Sequence, residues 1–273
     1  MDQMTSLDTA LATVIEGCTE CGSCVRQCAF LRRYGNPSVL ALQHQAGSLD
    51  PKAIYSCSLC RLCDVHCPEA LDISNMLWSM RCRLVEERRG PLRQHRRILS
   101  YEKIGLSSRF QLFAIPDKSK TVFFPGCALA GTRPKQVRLL FKQLSKEIDH
   151  LGIVLNCCAK PSHDLGRLSF FNRTFKSQID HFTELGITTL ITACPSCHQI
   201  FSRYAEGIEV KHIYQILDSQ TVVKKVDAGD EMCIHDPCST RFDAEVHQGV
   251  RSIAEGLGIM IGDMKHQRKR TLC

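Results

Sequence analysis

The hydrophobic pattern of this chain changes period part-way along its length. In the first third, apolar residues recur three and four positions apart. Leu7, Leu11, Val14 and Ile15 predict a short amphipathic helix within residues 1 to 17. Phe30, Leu31 and Tyr34 lead into the turn Gly35-Asn36-Pro37, after which Val39, Leu40 and Leu42 begin another short helix that stops before Gly47. Ile73, Met76, Leu77, Met80 and Leu84 trace one face of a longer helix, with Trp78, Cys82 and Val85 on an adjoining stripe. Cys82 is expected as a buried apolar thiol and Trp78 in the core or at an interface. The segment from Arg81 to Arg97 carries Arg83, Arg88, Arg89, Arg93, Arg96 and Arg97 around Gly90-Pro91, which predicts two helices with a basic outer surface. A solvated face is the plain reading of that surface; docking of a redox partner or an anionic lipid surface is the alternative.

After the polar stretch Pro116 to Lys120 the pattern becomes short apolar runs alternating with amphipathic helices, which predicts a sheet flanked by helices. Val122-Phe123-Phe124, Ile153-Val154-Leu155 after Gly152, and Thr189-Leu190-Ile191-Thr192 read as strands. Helices between them are marked by Val137, Leu140, Phe141, Leu144 and Ile148, then by Leu168, Phe171, Phe175, Ile179 and Phe182. The expected fold class is therefore α + α/β. A mainly helical part occupies residues 1–115 and an α/β part residues 119–273, the latter divided into 119–225 and an incomplete second half at 230–273.

Composition narrows this further. At 273 residues with 44% apolar content the chain can bury a substantial core, and disorder is not the default. Its 17 cysteines fall in metal-ligand spacings, and no signal-peptide pattern opens the sequence, so a reducing cytoplasm is expected. No apolar run approaches the ~20 residues of a membrane span, so membrane contact, at the inner face, is expected only through a partner.

The chemistry lies first in Cys18-x-x-Cys21-x-x-Cys24-x-x-x-Cys28 and Cys57-x-x-Cys60-x-x-Cys63-x-x-x-Cys67-Pro68, the same ligand pattern written twice. Three thiolates three positions apart wrap one face of a [4Fe-4S] cubane, and the fourth reaches across from the other quartet. That pairing gives Cys18, Cys21, Cys24 and Cys67 to one cluster, and Cys57, Cys60, Cys63 and Cys28 to the other. Two zinc knuckles are the competing reading, but structural zinc sites usually present two separated C-x-x-C pairs. The formal charge of +7 leaves the cysteines neutral. Two cubanes with their thiolates, at about −2 each, bring the loaded protein near +3 (about 7 minus 4) and weaken the case for nucleic acid. Lys265, Arg268, Lys269 and Arg270 lack interleaved aromatics and read as a solvated loop.

A second constellation stands at the strand ends: Cys127 after Pro125-Gly126, the adjacent pair Cys157-Cys158, and Cys194-Pro195-Ser196-Cys197. Vicinal cysteines make strained disulfides and usually mean metal or redox chemistry. Open α/β sheets bind ligands where strand ends face helix starts, and Pro195 suits a first helical turn. His44, His66, His163, His198 and His235 are better read as hydrogen-bonding or packing groups than as ligands, because cysteines complete each set. No Gly-rich phosphate loop, G-x-S-x-G or suggestive carboxylate pair is present, so any flavin or nicotinamide is expected on another subunit.

The lone cysteine, the Cys-Cys element and the distal C-x-x-C resemble the cysteine-rich, or CCG, domain of heterodisulfide reductase and its relatives, with Ala159 where the family has glycine. With the two quartets in front, nearly the whole chain is similar to fused-type heterodisulfide reductase subunits and to the iron-sulfur subunits of glycolate, lactate and glycerol-3-phosphate oxidation systems. The resemblance implies a third, non-cubane [4Fe-4S] cluster on Cys127, Cys157, Cys158, Cys194 and Cys197, at which a disulfide is bound and cleaved. It also implies a second repeat, entered through Met232-Cys233-Ile234 and His235-Asp236-Pro237-Cys238, where Cys238 corresponds to Cys127 and Cys233 is expected to be packing. The helix of Val246, Val250, Ile253, Ala254 and Leu257 follows, and the sequence runs to Thr271-Leu272-Cys273, where the family continues into its second Cys-Cys-Gly. Cys238 and Cys273 are the candidate ligands of this half. One expectation is that codon 274 is UGA, encoding selenocysteine; a frameshift, a fragment and a short paralogue are the alternatives.

The function expected is an iron-sulfur oxidoreductase subunit relaying electrons through two cubanes to the cysteine-rich site for disulfide or thiol redox chemistry, with a heterodisulfide-reductase-type partner. The alternative is an electron carrier between a flavoprotein dehydrogenase and a quinone or membrane cytochrome subunit. A metal-dependent scaffold or redox sensor is the reading from a third class.

Overall fold

The structure, a computed structural model, describes residues 6–217 and 231–272. Its first part is helical. Helices α1 (Leu7–Gly17), α4 (Pro37–Gln45) and α7 (Ile73–Glu86) pack on one another, and short helices α2 (Ser23–Gln27), α3 (Ala29–Tyr34), α5 (Pro51–Ser56) and α6 (Leu62–His66) carry the cysteine loops around them. Leu11, Val14, Leu31, Leu40, Ile54, Met76, Leu77, Met80 and Leu84 form one core, as their spacing predicts. Side-chain oxygens of Ser6, Asp50 and Asp72 accept the first free amides of α1, α5 and α7. Helix α8 (Arg96–Gly105) then leads towards the sheet.

That sheet has five strands in the order β1-β3-β2-β4-β5: β1 (Leu112–Ala114), β2 (Thr121–Phe124), β3 (Gly152–Leu155), β4 (Thr189–Thr192) and β5 (Glu209–His212). β2 to β5 are parallel and β1 pairs antiparallel with β3. β1 precedes the stretch Pro116 to Lys120 and joins the sheet from that side. Five helices connect or flank the strands: α9 (Cys127–Thr132), α10 (Pro134–Glu147), α11 (Lys160–Asp164), α12 (Leu168–Glu184) and α13 (Pro195–Tyr204). Both faces of the sheet are covered. Val122, Phe124, Val154 and Leu190 meet Phe171, Phe175, Phe182 and Phe201 on one side, while Phe123 and Ile191 meet Val137 and Leu144 on the other. Double coverage explains why the parallel strands read as unbroken apolar runs.

Beyond β5 come α14 (Ile213–Ile216), then β6 (Met232–Cys233), α15 (Ala244–Gly256) and β7 (Ile261–Gly262), with β6 and β7 forming a separate parallel pair. Asp236 of His235-Asp236-Pro237-Cys238 is buried, receives both Arg251 terminal nitrogens at 2.9 Å and accepts the Arg268 amide at 2.8 Å, so it fastens α15 and the C-terminal loop. Cys233 does not pack in the core: β6 is a short edge strand and the residue is exposed. Among the described residues no helix is long and apolar enough to cross a membrane.

Candidate metal centres

The two quartets fold as copies. In the first, Glu20 and Gly22 flank Cys21 with φ of 54° and 71°; in the second, Leu59 and Arg61 flank Cys60 with φ of 52° and 61°. Left-handed backbone at the same two steps curls each loop around its own interior, and three of those four residues are not glycine, at a cost of about 1 kcal/mol or more each. α2 and α6, which separate the third and fourth cysteines of each quartet, lie side by side. Cys18, Cys21, Cys24 and Cys67 consequently line one cavity. Burial, with Cys67 and Cys18 beside it, pushes the Cys24 thiol up to about 11. Burial likewise pushes Cys57 up to about 11, with Cys60 and Cys28 as its sulfur neighbours. Cys63 is raised by burial, by the Asp64 carboxylate and by Cys57 and Cys60. Each grouping thus takes its fourth member from the other quartet. The chemistry of the donor set fits [4Fe-4S] clusters: thiols bunched in fours, one of each four buried, which positive iron would hold as thiolates.

The parallel strands build the other site. Cys127 follows β2, Cys157 and Cys158 follow β3, and Cys194 and Cys197 follow β4, so all five reach the carboxyl ends of adjacent strands. They line a single cavity of about 390 Å³. Cys194 is the cap residue of α13 and Pro195 its first residue. A chain of sulfur hydrogen bonds runs Cys127–Cys157–Cys158–Cys197–Cys194. Bonds from Cys157 and Cys197 hold the Cys158 thiol below its ordinary range, and Cys197 holds Cys194 down at about 6. Backbone space is minimal here. A Cβ on Gly126 would meet the Cys194 Cβ at 2.8 Å and the Cys197 sulfur at 3.1 Å. Ala159, fully buried, has φ of 58°, which explains the glycine of the related motif. The donor set again fits an iron-sulfur group. Among the described residues, no three His, Cys, Asp or Glu side chains close around a single-ion position.

Several participants carry no motif. Ile98 and Tyr101 of α8 line the five-cysteine cavity beside Ala128, Lys160, Pro161 and Leu165, and Tyr101 hydrogen-bonds to Cys127. Gly105 sits where a Cβ would be 3.1 Å from that of Cys157. Arg81 is buried inside the run read as basic surface, because α7 turns its side chain inward. It donates to the carbonyls of Cys57, of Ile54 at 3.2 Å and of Asp164 at 2.8 Å. The Trp78 indole donates to the His163 carbonyl at 2.8 Å and the Tyr55 hydroxyl to that of Leu165 at 3.1 Å. Glu102, also buried, accepts the Ser162 amide at 2.8 Å and its hydroxyl. The loop bearing Cys57 and the segment after Cys158 are therefore fastened together.

The histidines pack. His163 stacks on Trp78 and bonds Asp164 and the Tyr204 hydroxyl, each at 2.8 Å. His198 meets Asp243 at 2.7 Å. Cys82 is buried, and Trp78 lies at the interface. In the second half, Cys238 starts a one-turn helix packed on α13, away from the five-cysteine cavity lining; Cys273 lies outside the described residues.

Sequence comparisons agree with this layout. A model described as "4Fe-4S dicluster domain" matches residues 14–71, and one described as "Cysteine-rich domain" matches residues 121–202. The chain joins a 4Fe-4S dicluster domain to a cysteine-rich CCG domain. An iron-sulfur protein of Methanococcus maripaludis is 24% identical over 89% of this chain and 55% of its own length. One subunit of the dihydromethanophenazine:CoB–CoM heterodisulfide reductase of Methanosarcina acetivorans is 24% identical over 85% of this chain and 72% of its own. The chain thus spans about half the length of the first relative. No solved structure matches it.

Proposed function

We propose that the chain is an oxidoreductase subunit that passes electrons from a protein redox partner to the five-cysteine site, where a disulfide is reduced to two thiols. Cys18, Cys21, Cys24 and Cys67 hold one [4Fe-4S] cluster, Cys28, Cys57, Cys60 and Cys63 a second, and Cys127, Cys157, Cys158, Cys194 and Cys197 a third of non-cubane type. When bound, these groups supply one-electron steps. The residues do the rest. Arg81 sets the Cys57 loop against Asp164, at the wall of the five-cysteine cavity, which keeps the second quartet next to that site. Ile98, Ala128, Pro161 and Leu165 give the cavity an apolar side that accepts a thiol's carbon chain. Lys160 lies on the same wall.

The observation that carries this reading is the convergence of five cysteines from three strand ends on one cavity of about 390 Å³, fastened to the second quartet. Anaerobically purified protein is expected to hold about twelve iron atoms, and Cys158→Ser about eight, with loss of one EPR species. With a reduced viologen as donor, wild type is expected to reduce a mixed disulfide and Cys158→Ser to be inactive. Zinc without iron would overturn the whole reading. Twelve iron atoms with no disulfide turnover would leave an electron carrier between a dehydrogenase and a quinone or cytochrome.

A further inference from the structure

We propose that Arg81 and Arg241 hold the second quartet site at a more positive reduction potential than the first, so that an electron entering the dicluster part settles beside the five-cysteine cavity. The inference rests on the ligand reading above. Both guanidiniums are buried, at 4% and 1% exposure, in places where a charge is normally paired with a carboxylate. Neither has one within ion-pairing distance among the described residues. Arg81 gives its protons to the carbonyls of Ile54, Cys57 and Asp164. Arg241, arriving from the far end of the chain, gives its own to the carbonyls of Cys60 at 2.6 Å, Thr271 at 2.9 Å and Lys269. Two positive charges therefore press on the Cys57 and Cys60 steps of the same loop. A buried cation without a counterion is costly, and the negative charge that offsets it here is the thiolate-ligated group itself.

The other charges around the two sites sharpen the contrast. At the second quartet Asp64 faces Cys63, but Arg61 lies 3.2 Å from that carboxylate and also stacks on Phe242. The Asp164 carboxylate near Arg81 is engaged by Lys160 and His163, both at 2.8 Å. The balance is positive. At the first quartet the cavity is lined by two carboxylates, Glu20 and Glu69, and one arginine nearby, Arg26, donates to the Cys21 carbonyl at 3.3 Å; all three are exposed, and no buried guanidinium stands beside them among the described residues. Positive charge next to a cluster favours the state with the extra electron, whereas carboxylates oppose it.

The step is one electron: the first site is oxidised by one and the second reduced by one, with no bond made or broken. The electron originates in the low-potential one-electron donor that loads the first site.

EPR-monitored potentiometric titration of the loaded full-length protein tests this. Two separate cubane midpoints are expected, and Cys60→Ser should perturb the upper one while Cys21→Ser perturbs the lower. Arg81→Gln and Arg241→Gln are each expected to move the upper midpoint down and leave the lower in place; Arg81→Lys, which keeps the charge, should restore most of the shift. Coincident midpoints in wild type, an upper midpoint that follows Cys21→Ser, or equal movement of both in the glutamine variants would overturn the proposal. The wild-type assignment decides the question even where a glutamine variant fails to fold. Absence of cubane signals altogether would instead sink the ligand reading.

Discussion

At the scale of single residues, the sulfur chemistry was legible and its surroundings were not. Ligand spacing is a local property, so Cys18 to Cys67 and the five strand-end cysteines are visible in the string. Arg81 looks like any other arginine in an arginine-rich run until α7 is rotated against the core, and Tyr101 contributes through a contact 26 residues distant. Cys233 was expected to pack; nothing local distinguishes a core strand from the short exposed β6. Ala159 offers a residue-scale prediction. Its φ of 58° is strained for an L-residue, by about 1 kcal/mol, and glycine relieves that strain while adding freedom to the unfolded chain. Ala159→Gly is expected to keep full iron content and to raise the urea midpoint modestly, the gain not exceeding about 1 kcal/mol. Gly126→Ala is the opposite case. With φ of 84° and a Cβ driven into Cys194 and Cys197, it should cost the five-cysteine site its iron, lowering the count from about twelve to about eight atoms while the quartets stay loaded.

Secondary-structure elements with a strong period were readable and short edge elements were not. The helices on Leu11 and Val14, on Met76 and Met80, and on Phe171 and Phe182 stand where the 3.6-residue period puts them, and strands β2, β3 and β4 where the apolar runs are. β1, with only three residues, and β5, reading Glu-Val-Lys-His, have too little apolar pattern to announce themselves; each is an edge that pairs on one side only. The end of β5 yields a pH prediction. His212 is fully buried, and its Nδ1 accepts the Tyr214 amide at the start of α14. Burial, helped by the neighbouring His198 and opposed by Asp243, lowers its pKa to about 4 from an ordinary 6.5. A depressed folded-state pKa means the imidazole protonates more readily in the unfolded chain. Its contribution is therefore complete above pH ~6.5 and is lost as pH falls towards 4. From pH 7 to pH 5 the loss amounts to about 2 kcal/mol. His212→Asn keeps an acceptor for the Tyr214 amide and removes the titration. Urea titrations are expected to show wild type losing that much more stability than the variant across this interval; parallel curves would refute the assignment.

For the whole molecule, what matters is that the helical part and the sheet are fastened to each other, and residue patterning gave no hint of how. The contacts are between positions far apart in the chain: Trp78 with His163, Tyr55 with Leu165, Glu102 with Ser162, and Arg81 with Asp164. At their centre Gly166, with φ of 79°, lets the turn after α11 lie on the backbone of α7. A Cβ there would stand 2.4 Å from the Arg81 carbonyl carbon and 2.6 Å from the Cys82 nitrogen. Backbone cannot yield as a flexible side chain can, so Gly166→Ala must separate α7 from α11. Each part keeps its own core: the apolar residues of α7 face α1 and α4, while Phe171, Phe175 and Phe201 stay against the sheet. The variant is expected to retain about twelve iron atoms but to become susceptible to limited proteolysis between Ile115 and Thr121, and to lose about 1–3 kcal/mol of stability. Electrons supplied to the quartets should then reach the five-cysteine site more slowly, because tunnelling distance and Arg81 contact are both disturbed. Stopped-flow EPR after rapid reduction measures that delay directly. Trp78→Phe, which keeps the ring packing and loses only the indole hydrogen bond to the His163 carbonyl, should cost about 1 kcal/mol and leave the transfer rate near wild type. Equal delays in the two variants would show that the Trp78 bond, and not the close backbone contact at Gly166, sets the path.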